Sequence, residues 1–177
     1  VTAFFVIPVI SWIANKVGKR KAFIISTAIS IVGYLLKWWA FNPDNPWLMF
    51  MPVPLIAFGL GGLFTLMMSM TADVCDLDEL NNGMPRKEGT FGAIYWWMVK
   101  LGQALALVMG GLVLKLVGFD GNAAQQTAET LLNLRIADIV IPATTAFLAI
   151  LVMWGYSLTE QRAREIKEEL EERRGVL

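Results

Sequence analysis

Four long apolar stretches recur along the chain, at roughly 22–41, 47–70, 91–117 and 131–156, and a shorter one occupies 1–14. About twenty consecutive apolar residues suffice to cross a bilayer as an α-helix, so the pattern predicts four membrane spans. The stretch 1–14 starts directly in apolar sequence with neither Met nor a basic leader, and it reads as a cut helix and not as a signal peptide.

The polar connectors alternate in kind. Segment 15–21 carries Lys16, Lys19, Arg20 and Lys21, segment 72–90 carries Arg86 and Lys87, and the tail carries Arg162, Arg164, Lys167, Arg173 and Arg174. The opposite connectors, "NPDNP" at 42–46 and "GFDGNAAQQTAET" at 118–130, carry no basic residue. The positive-inside rule therefore predicts a cytoplasmic tail and a multi-pass protein of the cell (inner) membrane. Trp38, Trp39 and Trp47 fall at the outer end of the first hairpin, where an aromatic belt is expected. The tail "TEQRAREIKEELEERR" pairs Glu160 with Arg164 and Glu169 with Arg173 at i,i+4, and predicts a solvated charged helix, with a partner-binding helix as the alternative.

Small residues show where helices approach in lipid, because no hydrophobic force drives apolar helices together there. Ser26, Ser30 and Gly33 form one such face and Gly102, Ala106 and Gly110 another; both are expected to meet neighbouring helices.

Composition narrows the chemistry. The chain is 56% hydrophobic over 177 residues, with seven Trp and nine Met, and its mean hydropathy of +0.55 lies outside the soluble range. Fifteen basic residues balance fifteen acidic ones, which gives no reason to expect a nucleic-acid partner. With no His, the usual general base and commonest metal ligand are missing, and the single Cys75 reads as an apolar side chain. An enzyme or a metal cofactor is not expected.

One residue breaks the pattern. Lys100 lies ~13.5 Å inward from Phe91, counting ~1.5 Å per residue, close to the middle of a ~30 Å hydrocarbon core. Lys37 and Lys115 lie near outer ends, where their stems reach the headgroups, and Arg135 and Asp138 are spaced to neutralise each other. No acid of this chain shares the depth of Lys100. Water access, loss of its proton, or an anion on a part of the protein beyond this chain could resolve that, and the last is the expectation. A lysine that merely stabilises packing is the plain alternative. Phe64 is expected at the same depth on the preceding helix, with Trp96 and Trp97 one turn below Lys100; rings plus an ammonium suit a polar, ring-shaped solute.

Segment 72–89, "ADVCDLDELNNGMPRKEG", places Asp73, Asp76 and Glu79 on one helix face near a C-terminus, where acids oppose the helix dipole and need basic partners. Arg86, Lys87 and the 16–21 cluster are the candidates. A charged cluster of this kind can act as a gate, closed when paired and open when released; a solvated loop is the alternative. The spacing does not fit a calcium loop.

"ADVCDLDE", "RKEG" and "YWWMVKLGQALA" together resemble the segment joining helices ten and eleven of the glycoside–pentoside–hexuronide:cation symporters, the melibiose-permease-like branch of the major facilitator superfamily. "SWIANKVGKRK" resembles the family's loop between helices eight and nine, with Ser11 and Asn15 where Gly and Asp are usual, and "QQTAETLLNLRI" resembles the start of its last helix. The resemblance implies an all-α, polytopic fold running from the end of helix eight to helix twelve. Residues 1–157 would form the C-terminal transmembrane bundle and 158–177 a charged tail helix.

It also implies roles. Lys100, with Val99, Trp96 and Tyr95, matches the sugar and cation site, Phe64 matches an aromatic residue lining the sugar pocket, and Asp73, Asp76, Glu79 and Arg86 match the cytoplasmic charged network. Melibiose-type members carry smaller polar side chains where Tyr95 and Trp96 stand, so the sugar preference does not carry over. The implied activity is symport of a sugar or glycoside with Na⁺ or H⁺. The coupling cation's carboxylates would lie in the N-terminal six-helix bundle, the chain's partner along with membrane lipid. A carrier of a lipid or drug, or a membrane anchor or regulatory subunit, are the other readings.

Overall fold

A computed structural model of the chain describes residues 2–42, 44–83 and 86–175, with backbone only for residues 2 and 3; Val1, Pro43, Met84, Pro85 and the last two tail residues lie outside it. Among the described residues there is no strand. The helices are α1 (Thr2–Val17), α2 (Lys19–Ala40), α3 (Pro52–Asn82), α4 (Glu88–Leu116), α5 (Ala128–Trp154) and α6 (Glu160–Arg173), with a 3₁₀ turn at Pro46–Phe50 before α3. Four helices, α2 to α5, are long and apolar enough to cross a membrane, as the hydropathy pattern predicts.

Length explains the charged end. The 31 residues of α3 extend ~46 Å at ~1.5 Å each, well beyond a ~30 Å core, so its last turns project past the apolar span with Asp73, Asp76 and Glu79. Gly83 follows with φ 79°, a left-handed conformation that glycine reaches without Cβ strain, and ends the helix.

The bundle is organised around α2, which packs on α1, α3 and α5. Its contact with α3 is built on absent side chains. A Cβ at Gly59 would lie 2.5 Å from the Ser30 side chain, one at Gly62 would overlap Ser26, and one at Gly33 would come within 2.9 Å of Leu55 Cβ. Gly59 and Gly62 are one turn apart on the same face, while Gly61 points elsewhere and seats Val6 and Ile10 of α1. Ser26 and Ser30 are buried, and each hydroxyl donates to its own helix, to Phe23 O at 3.0 Å and Thr27 O at 2.7 Å. Local bonding of this kind satisfies the polar atom and leaves the small residue free to face glycine. The face read from Ser26, Ser30 and Gly33 does meet a neighbour.

The core lies toward the basic end, where Ile10, Ala14, Ala22, Phe23, Leu66, Met70 and Met153 bring four helices together. Cys75, further along α3, is buried as a free thiol. Gly18 links α1 to α2 with φ 87°, and a Cβ on it would press to 3.3 Å from Glu160 Cβ. Both its conformation and its space require glycine.

Three sequence expectations change. The tail helix is not merely solvated: α6 starts at Thr159, whose side chain accepts from Arg162 N, and it docks on α3 with Ile166 fully buried and Leu170 3% exposed. These are the tail's apolar i,i+4 pair, and the charged remainder stays in solvent. Within α6, Glu160 pairs with Arg164 at 3.6 Å, but Glu169 pairs with Arg162 at 3.4 Å, because Arg173 turns instead to the carbonyl of Leu80 at 3.2 Å. At the other end, Asp138 bonds Lys37 at 2.8 Å across the α2–α5 contact and not Arg135, whose guanidinium stacks 4.9 Å above the Trp38 ring. Packed helices offered a better partner than the same-helix neighbour.

Gly59→Val and Gly62→Val are expected to destabilise the bundle by ~1–3 kcal/mol each through overpacking, while Gly89→Ala, with no atom within 4 Å of its Cβ, is expected to be neutral in detergent unfolding. Unchanged unfolding of both valine variants would contradict the α2–α3 contact. Ile166→Glu, which forces a charge into a fully buried site, is expected to release α6 and speed tryptic cleavage at Arg162 and Arg164.

Candidate functional site

The helix that carries Lys100 is packed unlike the others. Its 29 residues contain none that is buried, and it touches α3 and α5 only sparsely. A Cβ at Gly102 or Gly110 would meet nothing within 4 Å, so the small-residue face expected to meet a neighbour meets none among the described residues. Apolar side chains cover the whole circumference, with Leu105, Leu107, Val108 and Met109 all exposed. In a membrane protein, such a helix is either surrounded by lipid or covered by other helices.

Lys100 stands near the centre of α4, uncovered by the chain's other atoms. Its ammonium donates to Gln103 Oε1 at 3.3 Å, and among the described residues no carboxylate lies within salt-bridge distance. The cation–π contacts of the described residues belong to Lys16, Lys37 and Arg135, so none of their rings caps Lys100. Tyr95 stacks edge-on against Trp96, with centroids 5.4 Å apart, and its hydroxyl is enclosed without a hydrogen-bond partner. Val99 is half-buried, Trp96 largely exposed, and Phe64 on α3 is 39% exposed. Each side chain of this set is thus open on at least one side.

The acidic segment, by contrast, is closed on itself. Asp73 accepts from Lys19 at 2.6 Å, joining the start of α2 to α3. Asp76 pairs with Arg86 at 3.0 Å, and Arg86 also reaches Glu88 at 2.9 Å, so one guanidinium ties the end of α3 to the start of α4. Asp78 binds Lys87 at 3.0 Å and Asn82 at 2.7 Å.

Glu79 takes a partner that spacing did not suggest. Its carboxylate, 4% exposed, accepts two bonds from Arg174 of the tail, at 2.6 and 3.3 Å. This two-pronged bond pushes the Arg174 pKa above the ordinary arginine value and holds the charge in place. The signal was present in the tail, since Arg174 follows Leu170 by four residues and shares the docked stripe. Between α3 and α6 these groups line a cavity of about 450 Å³ that includes Lys19, Asp73, Asp76, Arg86 and Arg174. Chemically the arrangement is a set of ion pairs joining four segments on one side of the bundle.

Residues 1–160 match the family described as MFS/sugar transport protein. Among curated proteins, the chain is 29% identical over 174 residues to a glucuronide carrier protein homolog of Escherichia coli (strain K12), covering 96% of this chain and 36% of that protein. It is 30% identical over 158 residues to a protein of the same organism named as a sulfoquinovose importer, covering 89% of this chain and 33% of the relative. It is 26% identical over 157 residues to an uncharacterized symporter of Bacillus subtilis (strain 168), covering 88% and 33%. The chain therefore spans about a third of the length of these relatives. The relatives and the family are transporters, not enzymes. With its membrane-spanning helices and its match along residues 1–160, the chain belongs to the MFS/sugar transport family of the major facilitator superfamily, in agreement with the symporter resemblance carried by its charged segment and Lys100 helix.

Proposed function

We propose that the chain is the C-terminal bundle of a twelve-helix secondary transporter that moves a sugar or glycoside with Na⁺ or H⁺ by alternating access around a midplane site. The observation that carries this reading is Lys100, a cation near the centre of an apolar helix with only a neutral amide for partner. An ammonium at that depth is costly, and such groups face a bundle interior or a water-filled path. The uncovered face of α4 is then the surface that lines the path and meets the N-terminal six-helix bundle of the same polypeptide. That bundle supplies the coupling cation's carboxylates and the anion that Lys100 faces.

Lys100 links solute and cation site, while Phe64, Trp96, Tyr95 and Val99 shape the pocket. Relatives named for a glucuronide and for sulfoquinovose have solutes bearing a carboxylate or a sulfonate, groups that an ammonium binds well. Asp73, Asp76, Glu79 and Arg86 close the inner side, and Arg174 of the tail shares in that closure. The eleven basic residues of one side support a cytoplasmic tail by the positive-inside rule, in a protein of the inner membrane.

Proteoliposomes holding the complete transporter are expected to accumulate a labelled glucuronide when a Na⁺ or proton gradient is imposed, and Lys100→Ala is expected to abolish accumulation. Accumulation at the wild-type level by that variant would remove the role assigned to Lys100; uptake of a lipid or drug instead of any sugar would replace the solute class.

Closure by the charged cluster has its own readout in the buried thiol of Cys75. Asp73→Asn combined with Asp76→Asn is expected to raise its alkylation by N-ethylmaleimide about fivefold, the factor that ~1 kcal/mol of lost ion pairing yields. Peptide-level mass spectrometry reads the rate, and an unaltered rate would leave the cluster without a gating part.

A further inference from the structure

Beside the charged cluster, on the same basic side, a second cavity of about 490 Å³ is bounded by the first two turns of α2, the end of α5 and the start of α6. Its walls differ in kind. One is apolar, formed by Ile24, Ile25 and Trp154, and Ile25 and Trp154 are exposed. The other is the run Lys19, Arg20 and Lys21.

The charges of that run are unequally spent. Lys19 is neutralised by Asp73, and nearby Lys16 sits 4.0 Å over the Trp12 ring. Arg20 donates to the carbonyl of Trp154, capping the C-terminus of α5, but a carbonyl does not cancel a full positive charge. Lys21 is exposed and has no carboxylate within salt-bridge distance among the described residues. The one acid on the wall, Glu160, faces Arg164 at 3.6 Å. Two positive charges thus converge above an apolar wall at the membrane boundary, where Trp154 ends its span.

We infer that this cavity binds the headgroup of an anionic phospholipid from the leaflet on the basic side, with its phosphate between Arg20 and Lys21 and its acyl chain along Ile25 and Trp154. The charge selects the anion. The apolar wall selects the lipid over a free ion, because it continues into the lipid-facing side of the bundle and a soluble phosphate would leave it wet. Bound there, the lipid touches the α1–α2 loop and the α5–α6 junction at once, next to the Lys19–Asp73 tie. The site is independent of which solute the protein carries.

Native mass spectrometry of the complete transporter, released from detergent with equal amounts of phosphatidylglycerol and phosphatidylcholine of matched chains, tests it without any transport assay. Preferential retention of phosphatidylglycerol is expected. Lys21→Gln is expected to weaken it about fivefold, the share of one cation at a membrane surface, with phosphatidylcholine unaffected. Lys115→Gln, which removes an exposed lysine at the other end of the bundle, is expected to change nothing. Equal retention by wild type and Lys21→Gln would overturn the inference. So would loss of phosphatidylglycerol on adding millimolar inorganic phosphate, which would make the cavity a free-anion site.

Discussion

The close approach of α2 and α3 sets the position of everything else in this bundle. Lipid tails are as apolar as leucine, so helices gain nothing by hiding leucine from them; they gain by fitting backbone to backbone. Gly59 and Gly62 allow that fit against Ser30 and Ser26, and the serines bury their hydroxyls without cost by bonding to their own helix. With α2 fixed on α3, Gly61 seats α1 on a second face, and α5 closes over the far side of α2. The cluster around Phe23, Leu66 and Met70 fills the junction.

That fixed pair carries the acidic turns of α3 past the membrane boundary, to where the basic loop and the tail can reach them. The resulting ties are of unequal character. Lys19–Asp73 and Arg86–Asp76 are partly open to water, which screens them. Arg174–Glu79 is different, because Glu79 is buried and would be left uncompensated if the tail departed. Apolar docking through Ile166 and Leu170 reinforces that contact. The tail is therefore held on α3 by a buried ion pair and an apolar contact together.

Opposite in design is α4, which touches α3 and α5 only sparsely and buries none of its residues. Among the described residues its glycines face no partner and its lysine no anion, and a charge at that depth is costly unless something covers it. Among the described residues, the open face of α4 is therefore the least covered part of the bundle.

Much of this was legible in the order of residues alone. Hydropathy located the four spans, because crossing a bilayer demands a minimum apolar length whatever the neighbours are. The face of Ser26, Ser30 and Gly33 was readable because close packing needs small side chains, and Lys100 because a charge in an apolar run is conspicuous. Which charges pair was not legible. Asp138 chose Lys37 over Arg135, and Glu79 chose Arg174 from 95 residues away, since reach across packed helices depends on where those helices lie and not on spacing along one of them. Tertiary structure alone also decided that the tail docks and that the glycine face of α4 stays bare, for burial is a property of pairs of surfaces, and a sequence displays only one of the two.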